Sequence, residues 1–318
     1  TLEARVKAGI EEIESQLAAA VDSPDAFVAE AAAHLLNAGG KRFRPLLVML
    51  AAEFGDQAHP DVPRAAVVVE LTHLATLYHD DVMDEASMRR GAPSANSRWG
   101  NSVAILVGDY LFAQASDLVS DLGPDCVRIQ ARTFSRLVQG QIRETLGPSE
   151  ADDHLEHYLA VVADKTGSLI ATAARLGAKM AGATVDVQET LTEFGERVGA
   201  AFQLSDDIID LASETGDSGK TPGTDLREGV PTLPTLLALR STDPESERLR
   251  SLLAKPLTDD DELAEAITLL RAHPAMDEAR AYVRAETDAA QALLATLPQS
   301  PAREALQTLC TTVATRLG

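Results

Sequence analysis

Two acidic blocks of the pattern DDxxD each interrupt an apolar stretch of the chain, at residues 80–84 and 206–210. On a helix, residues four positions apart share a face, so the first and last aspartates of each block point the same way. Gathering carboxylates beside apolar side chains costs free energy unless a cation binds there. Ligand sets made only of oxygen atoms favour hard cations such as Mg²⁺. The blocks therefore predict two helices that each present carboxylates to a bound cation.

A single DDxxD block on a helix is usually a solvated acidic surface, and that interpretation stays open for either block alone. Two copies that each adjoin an apolar helical run are harder to explain as solvated surface. We therefore expect both blocks to have a function.

The composition favours an all-α fold. Hydrophobic residues make up 45% of the 318-residue chain and aromatic residues only 4%, and the abundance of alanine and leucine favours helices over a sandwich or barrel. Apolar residues recur at helical spacing, without convincing strand alternation. Because no linker marks a boundary, we predict a single domain, residues 1–318, with about ten or more helices.

Charge and composition exclude several classes of function. The net charge of −21 argues against a nucleic-acid partner held by bulk electrostatics. The N-terminus lacks the pattern of a signal peptide, and no run approaches the length of a membrane span. Cys126 and Cys310 are isolated in the sequence, as expected in a reducing compartment. We therefore expect a cytoplasmic protein without a transmembrane segment.

Basic residues lie close to the acidic blocks in the sequence. A glycine-containing turn at residues 39–45 carries Lys41 and Arg44, and Arg89 and Arg90 directly follow the first block. Glycine lets the backbone approach an anion closely, and arginine can bind phosphate with two hydrogen bonds. These residues are candidate anion ligands, although basic turns are also common without such a function.

Further polar residues extend this pattern. His73 lies two helical turns before the first block on the same face, and Lys165 and Thr166 interrupt an apolar run in a helix predicted over 150–179. The segment 212–234 is rich in glycine and proline, carries Lys220 and is a candidate lid. Each feature also has an ordinary interpretation, as a structural histidine, an exposed pair or a surface linker.

Carboxylates and cations beside apolar walls fit a metal-bridged diphosphate on a lipid-like substrate. No phosphate-binding loop and no glycine-rich strand–helix turn of the nucleotide-binding folds occurs in the sequence. The diphosphate is therefore not expected to belong to a nucleotide.

The order of these motifs resembles that of the trans-isoprenyl diphosphate synthases of the polyprenyl synthetase family, above all the long-chain polyprenyl diphosphate synthases. The matching segments cover most of the chain and are GGKRFRP (39–45), HLATLYHDDVMDEASMRRG (73–91), GDYLF (108–112), QGQ (139–141), KTG (165–167), FQLSDDIID (202–210) and GKTPGTDLREGVPTLP (219–234). The resemblance implies an all-helical fold around a deep central cavity, in a homodimer. It also implies an Mg²⁺-dependent prenyltransferase that joins isopentenyl diphosphate head to tail to an allylic diphosphate.

The resemblance implies a role for each matched residue. Three aspartates would bind Mg²⁺, namely Asp80, Asp84 and Asp206. Isopentenyl diphosphate would be held by Lys41, Arg44, His73 and Arg90. The allylic diphosphate and its reacting carbon would be contacted by Arg89, Lys165, Thr166, Gln203 and Lys220. The basic C-terminal tail of the family is not evident, because only Arg303 and Arg316 lie near the end of the chain.

Product length is expected to depend on two small residues. Ala75 and Thr76 lie about one turn before Asp80, roughly 6–7.5 Å along the helix axis, and leave a path for a growing chain. In short-chain members of the family a bulky aromatic residue tends to stand at this point. We therefore expect a long all-trans product, delivered to a membrane by peripheral contact. The alternative is that Ala75 only packs against a neighbouring helix, and that residues deeper in the protein stop the growth of the product chain.

Three other functions stay open. A class I terpene cyclase shares the fold and one DDxxD motif but normally lacks the second, which is intact here. A non-catalytic subunit of a heteromeric synthase tends to lose the acidic motifs, and this chain keeps both. A short-chain farnesyl or geranylgeranyl diphosphate synthase would differ only in the length of its product.

Overall fold

The computed structural model describes residues 1–212 and 223–317, and nearly all regular structure within them is helical. The α-helices are α1 (Leu2–Val21), α2 (Ala26–Asn37), α3 (Phe43–Ala52), α4 (Asp61–Met83), α5 (Ala95–Trp99), α6 (Asn101–Ser120), α7 (Pro124–Leu146), α8 (His154–Val162), α9 (Ser168–Met180), α10 (Val185–Ala212), α11 (Thr224–Glu228), α12 (Leu233–Leu239), α13 (Glu247–Leu253), α14 (Asp260–Ala272), α15 (Pro274–Leu294) and α16 (Pro301–Thr315). The all-α prediction is confirmed, and the central cavity stays a prediction.

Short elements of other kinds lie between the α-helices, among them a 3₁₀-helix at Pro244–Ser246. Strands β1 (Met88–Arg89) and β2 (Ala92–Pro93) pair antiparallel and form a small hairpin after α4. A π-helical turn, Ala163–Gly167, separates α8 from α9. The helix predicted over 150–179 is therefore broken at the position where the polar residues interrupt its apolar run.

The chain divides into two compact units. Unit 1 comprises Thr1–Ser135, Leu169–Thr192 and Leu297–Ala305. Unit 2 comprises Arg136–Ser168, Glu193–Thr296 and Leu306–Gly318. The acidic block at 80–84 belongs to unit 1 and the block at 206–210 to unit 2. A single domain over the whole chain stays a prediction.

Helix α4 forms the core of unit 1. Residues 65–72 of α4 are all buried, which is typical of a helix that other helices surround, and α1, α3 and α6 pack against it. Tyr78 ties α4 to α2, because its hydroxyl donates to the Ala31 carbonyl oxygen at 2.6 Å and accepts from the Leu35 N–H at 3.2 Å. These contacts fix the end of α4 that carries the first acidic block.

Helix α6 is the one described helix that is long and apolar enough to cross a membrane by length and composition. It is the exception to the expectation that no run approaches the length of a membrane span. In unit 1, α6 packs along α4, and a Cβ on Gly108 would lie 3.2 Å from the Ala75 carbonyl oxygen. Core helices of other proteins pass the same test, but only 33% of the apolar stretch of α6 is buried, so packing against α4 accounts for one face of the helix and leaves the other exposed.

In unit 2, α12 packs against α8, α13 and α15. Thr232 caps α12, and its N–H donates to the Thr235 hydroxyl oxygen at 2.8 Å. Arg271 on α14 donates through Nε to the Leu211 carbonyl oxygen at 2.6 Å. That hydrogen bond fixes the end of α10 that carries the second acidic block.

Gly177 lets α9 lie directly against α3 in unit 1, because a Cβ there would come within 2.2 Å of the Val48 carbonyl oxygen. Gly177→Ala is therefore expected to push two buried helices apart and lower the free energy of unfolding by about 1–3 kcal/mol. Denaturation monitored by circular dichroism measures the loss. Arg175→Ala, at an exposed position of α9, is the control. Equal stability of Gly177→Ala and the parent would contradict this close approach.

Candidate functional site

The first acidic block forms the end of α4. Asp80 is half-buried and Asp84 is exposed at the C-terminal cap, and their spacing places them on one helix face. Asp81 is different, because its side chain is only 1% exposed. Its Oδ1 accepts hydrogen bonds from Nε of Arg89 at 2.9 Å and from Nη2 at 2.5 Å. The first and last aspartates are thus accessible to a ligand, while the second anchors the hairpin that follows.

The hairpin turns through Arg90 and Gly91, whose φ angles are both positive, at 53° and 75°. A two-residue turn of this kind normally carries Asn-Gly or Asp-Gly, and a non-glycine residue in this conformation costs about 1 kcal/mol or more. Such strain is concentrated at functional sites. Arg90 donates through Nη1 to the carbonyl oxygens of Leu35, at 2.9 Å, and of Gly39. The turn thereby places Arg90 beside the basic turn at residues 39–45.

A basic cluster in unit 1 lies around His73 and Glu70. The cluster consists of Arg42, Arg44, Arg89 and Arg90. Burial and these guanidiniums hold the pKa of His73 well below its usual range, so its imidazole is neutral. Burial raises the pKa of Glu70, which is 2% exposed, and Arg44, Arg42 and Arg90 oppose that shift. The four arginines face two buried carboxylates, because Glu70 lies within the cluster and Asp81 accepts hydrogen bonds from Arg89. Arg42 also pairs with Glu14, so Arg44 and Arg90 are the members without a carboxylate hydrogen-bonded to them among the described residues.

The three cations of the basic turn have different surroundings. Arg42 donates to Glu14, to Glu70 Oε1 at 3.3 Å and to backbone carbonyl oxygens at the end of α2. Lys41 is exposed. The Nε atom of Arg44 is buried and has no hydrogen-bond partner among the residues that the structure describes, and burial lowers the pKa of this guanidinium. Arg42 therefore stabilises the turn, whereas Lys41 and Arg44 can bind a ligand.

The two predicted chain-length residues differ in exposure. Ala75 is completely buried where α4 meets α6. Thr76 is half-buried, shares a helix face with Asp80, and donates its hydroxyl hydrogen to the His73 carbonyl oxygen at 2.6 Å. Of the two, Thr76 is the residue that a growing chain can touch without displacing a helix.

The second acidic block lies near the end of α10 in unit 2. Asp206 and Asp210 are half-buried and share a helix face. Arg316 donates through Nη2 to Asp206 Oδ1, and its guanidinium lies 4.8 Å from the centroid of the Phe202 ring. Arg316 therefore supplies a basic residue beside Asp206, although the sequence shows no basic C-terminal tail.

Helix α7 holds the π-helical turn at Ala163–Gly167 in place within unit 2. Arg136 donates through Nε to Asp164 Oδ1 at 2.9 Å, and Arg143 donates to the other carboxylate oxygen. A Cβ on Gly140 would lie 2.9 Å from the Asp164 Cβ, so the helix lies directly beside the turn. Because π-helical turns are rare and frequently occur at functional sites, this support indicates a functional turn.

Three predicted residues line one cavity of about 230 Å³ in unit 2, namely Lys165, Thr166 and Gln203. Lys165 donates through Nζ to Glu144 Oε2 at 2.5 Å, and the Thr166 hydroxyl donates to the Gln203 amide oxygen at 3.5 Å. The other lining residues are Glu144, Tyr158, Val161, Val162, Asp207, Asp225, Val230, Pro231 and Thr232. Lys220, the fourth residue predicted to act here, lies outside the described residues.

Asp207, the second aspartate of its block, is 5% exposed and accepts hydrogen bonds from three donors. The Tyr158 hydroxyl and the Leu233 N–H, at 3.3 Å, donate to Oδ2, and Gln203 Nε2 donates to Oδ1 at 3.4 Å. Burial raises the pKa of Asp207 to about 7, and the hydrogen bonds from Tyr158 and Leu233 oppose that shift. Burial and then Asp207 raise the pKa of Tyr158, so the phenol keeps its proton.

Sequence reasoning missed several residues at these sites, namely Glu70, Glu144, Tyr158 and Arg316. Glu70 is a charged residue inside an apolar helix, which is a signal that the sequence did contain. Glu144 follows the QGQ segment by one helical turn and was detectable from that spacing. Arg316 is remote in sequence from Asp206, so no local pattern could have paired them.

Comparisons with known proteins agree with these features. The polyprenyl synthetase family model matches residues 25–270. The nonaprenyl diphosphate synthase of Mycobacterium tuberculosis is 53% identical over 318 residues, an alignment that covers 99% of this chain and 94% of that protein. The chain therefore belongs to the polyprenyl synthetase family, and the predicted enzyme class, a prenyltransferase, is confirmed.

Solved structures of the same fold include enzymes named for products of different length. The geranylgeranyl pyrophosphate synthase from Corynebacterium glutamicum, complexed with calcium and isoprenyl diphosphate, has a TM-score of 0.91 and 48% identity, covering 100% of this chain and 98% of that one. The decaprenyl diphosphate synthase from Rhodobacter capsulatus has a TM-score of 0.89 and 32% identity, covering 100% of both chains. The fold predicted from the sequence motifs is thus confirmed.

Proposed function

We propose that this prenyltransferase joins isopentenyl diphosphate head to tail to an allylic diphosphate and extends the product to a long-chain all-trans polyprenyl diphosphate. The observation that carries the proposal is the basic cluster of unit 1. It gathers four guanidiniums around His73 and leaves the buried Nε of Arg44 without a hydrogen-bond partner among the described residues. A bound diphosphate would relieve the repulsion between these cations and could accept a hydrogen bond from that Nε.

We assign isopentenyl diphosphate to this basic cluster, with Lys41, Arg44, His73 and Arg90 as its ligands. Three features support the assignment. Lys41 is exposed and free to turn toward an anion. His73 is neutral, so it can donate one ring N–H without adding to the local positive charge. The strained backbone of Arg90 is retained next to the basic turn.

We assign Mg²⁺ to the outward-facing aspartates, with Asp80, Asp84 and Asp206 as ligands. Among the described residues, no three His, Cys, Asp or Glu side chains come together as a ready-made metal site. Mg²⁺ does not need one, because it is usually bound by one or two carboxylates together with phosphate oxygens and water. Paired aspartates at the end of a helix fit that mode. Bound Mg²⁺ would stabilise the charge of the departing allylic diphosphate.

The residues of the unit 2 cavity would act on the allylic substrate. Lys165 would bind the departing diphosphate. The resemblance to the family implies the same role for Arg89, which belongs to unit 1, and for Lys220, which lies outside the described residues. The Thr166 hydroxyl and the Gln203 amide present oxygen atoms that stabilise positive charge developing on the allylic carbon. Val161 and Val162 contribute apolar wall and keep water away. The double bond of isopentenyl diphosphate attacks the cation, and the departed diphosphate takes the proton that is lost.

We propose a long product because Ala75 and Thr76, the residues five and four positions before Asp80, both have small side chains. Thr76 occupies the half-buried position on the face of Asp80, and its side chain is small. The names of the nonaprenyl and decaprenyl synthases favour this proposal, whereas the name of the geranylgeranyl synthase favours a short-chain enzyme as the second candidate. Incubation with Mg²⁺, radiolabelled isopentenyl diphosphate and farnesyl diphosphate, with products separated by length, decides between them.

We propose a cytoplasmic homodimer that delivers its product to a membrane by peripheral contact. Exposed apolar residues on α6 support the dimer, since Ile105 and Leu106 are 42% and 65% exposed and Ala113 continues the same face. The free state of Cys126 and Cys310 supports a reducing compartment.

Removal of the proposed metal ligands tests the first step of the reaction. Asp80→Ala, Asp84→Ala and Asp206→Ala are each expected to lower kcat by about a thousandfold, which corresponds to roughly 4 kcal/mol of lost transition-state stabilisation. Steady-state turnover at saturating Mg²⁺ measures the effect, and Asp117→Ala, at an exposed position of α6, is the control. Turnover of Asp80→Ala equal to that of the control would refute the metal assignment.

Separate kinetic constants for the two substrates test the assignment of the basic cluster. Lys41→Ala and Arg44→Ala are expected to raise the KM for isopentenyl diphosphate by about tenfold or more, because each removes a cation from the bound anion. The KM for the allylic substrate should change less, and Lys220→Ala should show the reverse pattern. Arg64→Ala, with a side chain that is 50% exposed, is the control. Equal changes in both KM values for Lys41→Ala, Arg44→Ala and Lys220→Ala would contradict the assignment.

Bulky residues one turn before Asp80 test the proposed product length. Thr76→Phe is expected to give much shorter products with both substrates still consumed, because the ring blocks the path along α4. Ala75→Phe should also shorten the product, but it adds a ring at a completely buried position and should cost about 1–3 kcal/mol of stability. Reversed-phase separation of the products measures length. If a folded, active Thr76→Phe enzyme gave a product of unchanged length, residues other than Thr76 and Ala75 would limit the growth of the chain.

A further inference from the structure

We infer that Asp207 is a positioning residue which, together with Tyr158, orients the side-chain amide of Gln203 and holds the first turn of α12, and that it is not a metal ligand. The inference deepens the proposed function and rests on it where turnover is the readout. The inference assigns different roles to Asp206 and Asp207, which are adjacent residues of the same type.

The carboxylate of Asp207 is already occupied by protein donors. Oδ2 accepts from the Tyr158 hydroxyl and the Leu233 N–H, and Oδ1 accepts from Gln203 Nε2. The residue is 5% exposed, whereas the side chain of Asp206 is 44% exposed. A metal ion at Asp207 would have to displace buried hydrogen bonds, which is costly. A metal ion at Asp206 would displace only the partly exposed Arg316.

These contacts fix which way the Gln203 amide points. The ionised carboxylate of Asp207 only accepts hydrogen bonds, so in that form the NH₂ group of Gln203 faces Asp207 and its oxygen faces Thr166. Both Gln203 and Thr166 line the cavity. A carbonyl dipole held in this direction stabilises positive charge in the cavity, whereas a flipped amide would oppose it. Asp207 thus acts on the reaction through Gln203.

The same carboxylate holds one wall of the cavity. The Leu233 N–H belongs to the first turn of α12, where backbone donors have no partner within the helix. By accepting this hydrogen bond, Asp207 fixes the start of α12 and, with it, Thr232, which lines the cavity. Tyr158 reaches Asp207 from α8, so two elements of unit 2 are joined at this carboxylate.

The first acidic block shows the same division within unit 1. Asp81 holds the second position of its block, is buried, and accepts two hydrogen bonds from Arg89. The cause is helix geometry, because the first and last residues of DDxxD share a face and the second is rotated by about 100° toward the packed side. The second position is therefore buried and held by protein donors in both blocks, although Oδ2 of Asp81 has no hydrogen-bond partner among the described residues, whereas both oxygens of Asp207 are occupied.

Asparagine substitutions separate a positioning residue from a ligand. Mn²⁺ binding is measured by electron paramagnetic resonance in the presence of inorganic diphosphate, without turnover. Asp207→Asn should leave the Mn²⁺ affinity unchanged, whereas Asp206→Asn should lower it by about tenfold or more. Asp207→Asn should nevertheless lower kcat by about tenfold with an unchanged KM for isopentenyl diphosphate, since an amide can also donate and frees Gln203 to flip. Equal losses of Mn²⁺ affinity in both variants would overturn the inference.

Tyr158→Phe tests the hydrogen bond that Tyr158 donates to Asp207. It removes one donor to Asp207 and keeps the ring, so amide hydrogen exchange at Leu233 should become faster and kcat should fall, while Mn²⁺ affinity stays unchanged. Tyr282→Phe, on α15 of the same unit, is the matched control. Unchanged exchange and unchanged kcat in Tyr158→Phe would overturn the inference. If the parent chain lacked synthase activity, the proposed function would fail, and Mn²⁺ affinity and hydrogen exchange would still decide the role of Asp207.

Discussion

Charge that is partly withdrawn from water must be compensated, and both candidate sites depend on this requirement. In unit 1, guanidiniums gather around a neutral histidine and two buried carboxylates, Glu70 and Asp81, and the buried Nε of Arg44 has no hydrogen-bond partner among the described residues. In unit 2, Arg316 lies against Asp206, and a buried carboxylate at Asp207 collects three donors. Each site therefore combines charges that the protein neutralises with charges that it leaves for a ligand. The charges that the protein does not neutralise are the basis for assigning diphosphate to unit 1 and metal to the exposed aspartates.

Local backbone irregularity holds the functional side chains in place. Arg90 sits in a strained hairpin turn, and Lys165 and Thr166 sit in a π-helical turn that α7 supports through Asp164. Regular helices would have been more stable locally, since strain and rare hydrogen-bonding patterns cost free energy. The chain keeps these features at Arg90, Lys165 and Thr166, the residues to which we assign contacts with the substrates.

The sequence predicted the all-α fold, the family and the acidic and basic motifs, because helical periodicity and short motifs are local properties. It could not separate Asp206 from Asp207, since the two have the same side chain and differ only in what packs against them. It could not show that Ala75 is buried and Thr76 accessible, because adjacent helical residues diverge only in tertiary context. Nor could it pair Arg316 with Asp206, a contact between residues remote in sequence.

The basic cluster of unit 1 lies in a chain whose net charge is strongly negative, and this has a consequence for how a diphosphate would arrive. The chain as a whole carries a net charge of −21, so a free diphosphate in solution is repelled until it comes within a screening length of the cluster, about 8 Å at physiological ionic strength. Added salt should then hasten encounter, whereas it slows the capture of anions by proteins with broad basic surfaces. Diphosphate already complexed with a divalent cation carries less negative charge and is the form that approaches most easily, so cellular magnesium would govern the rate of encounter as well as the chemistry.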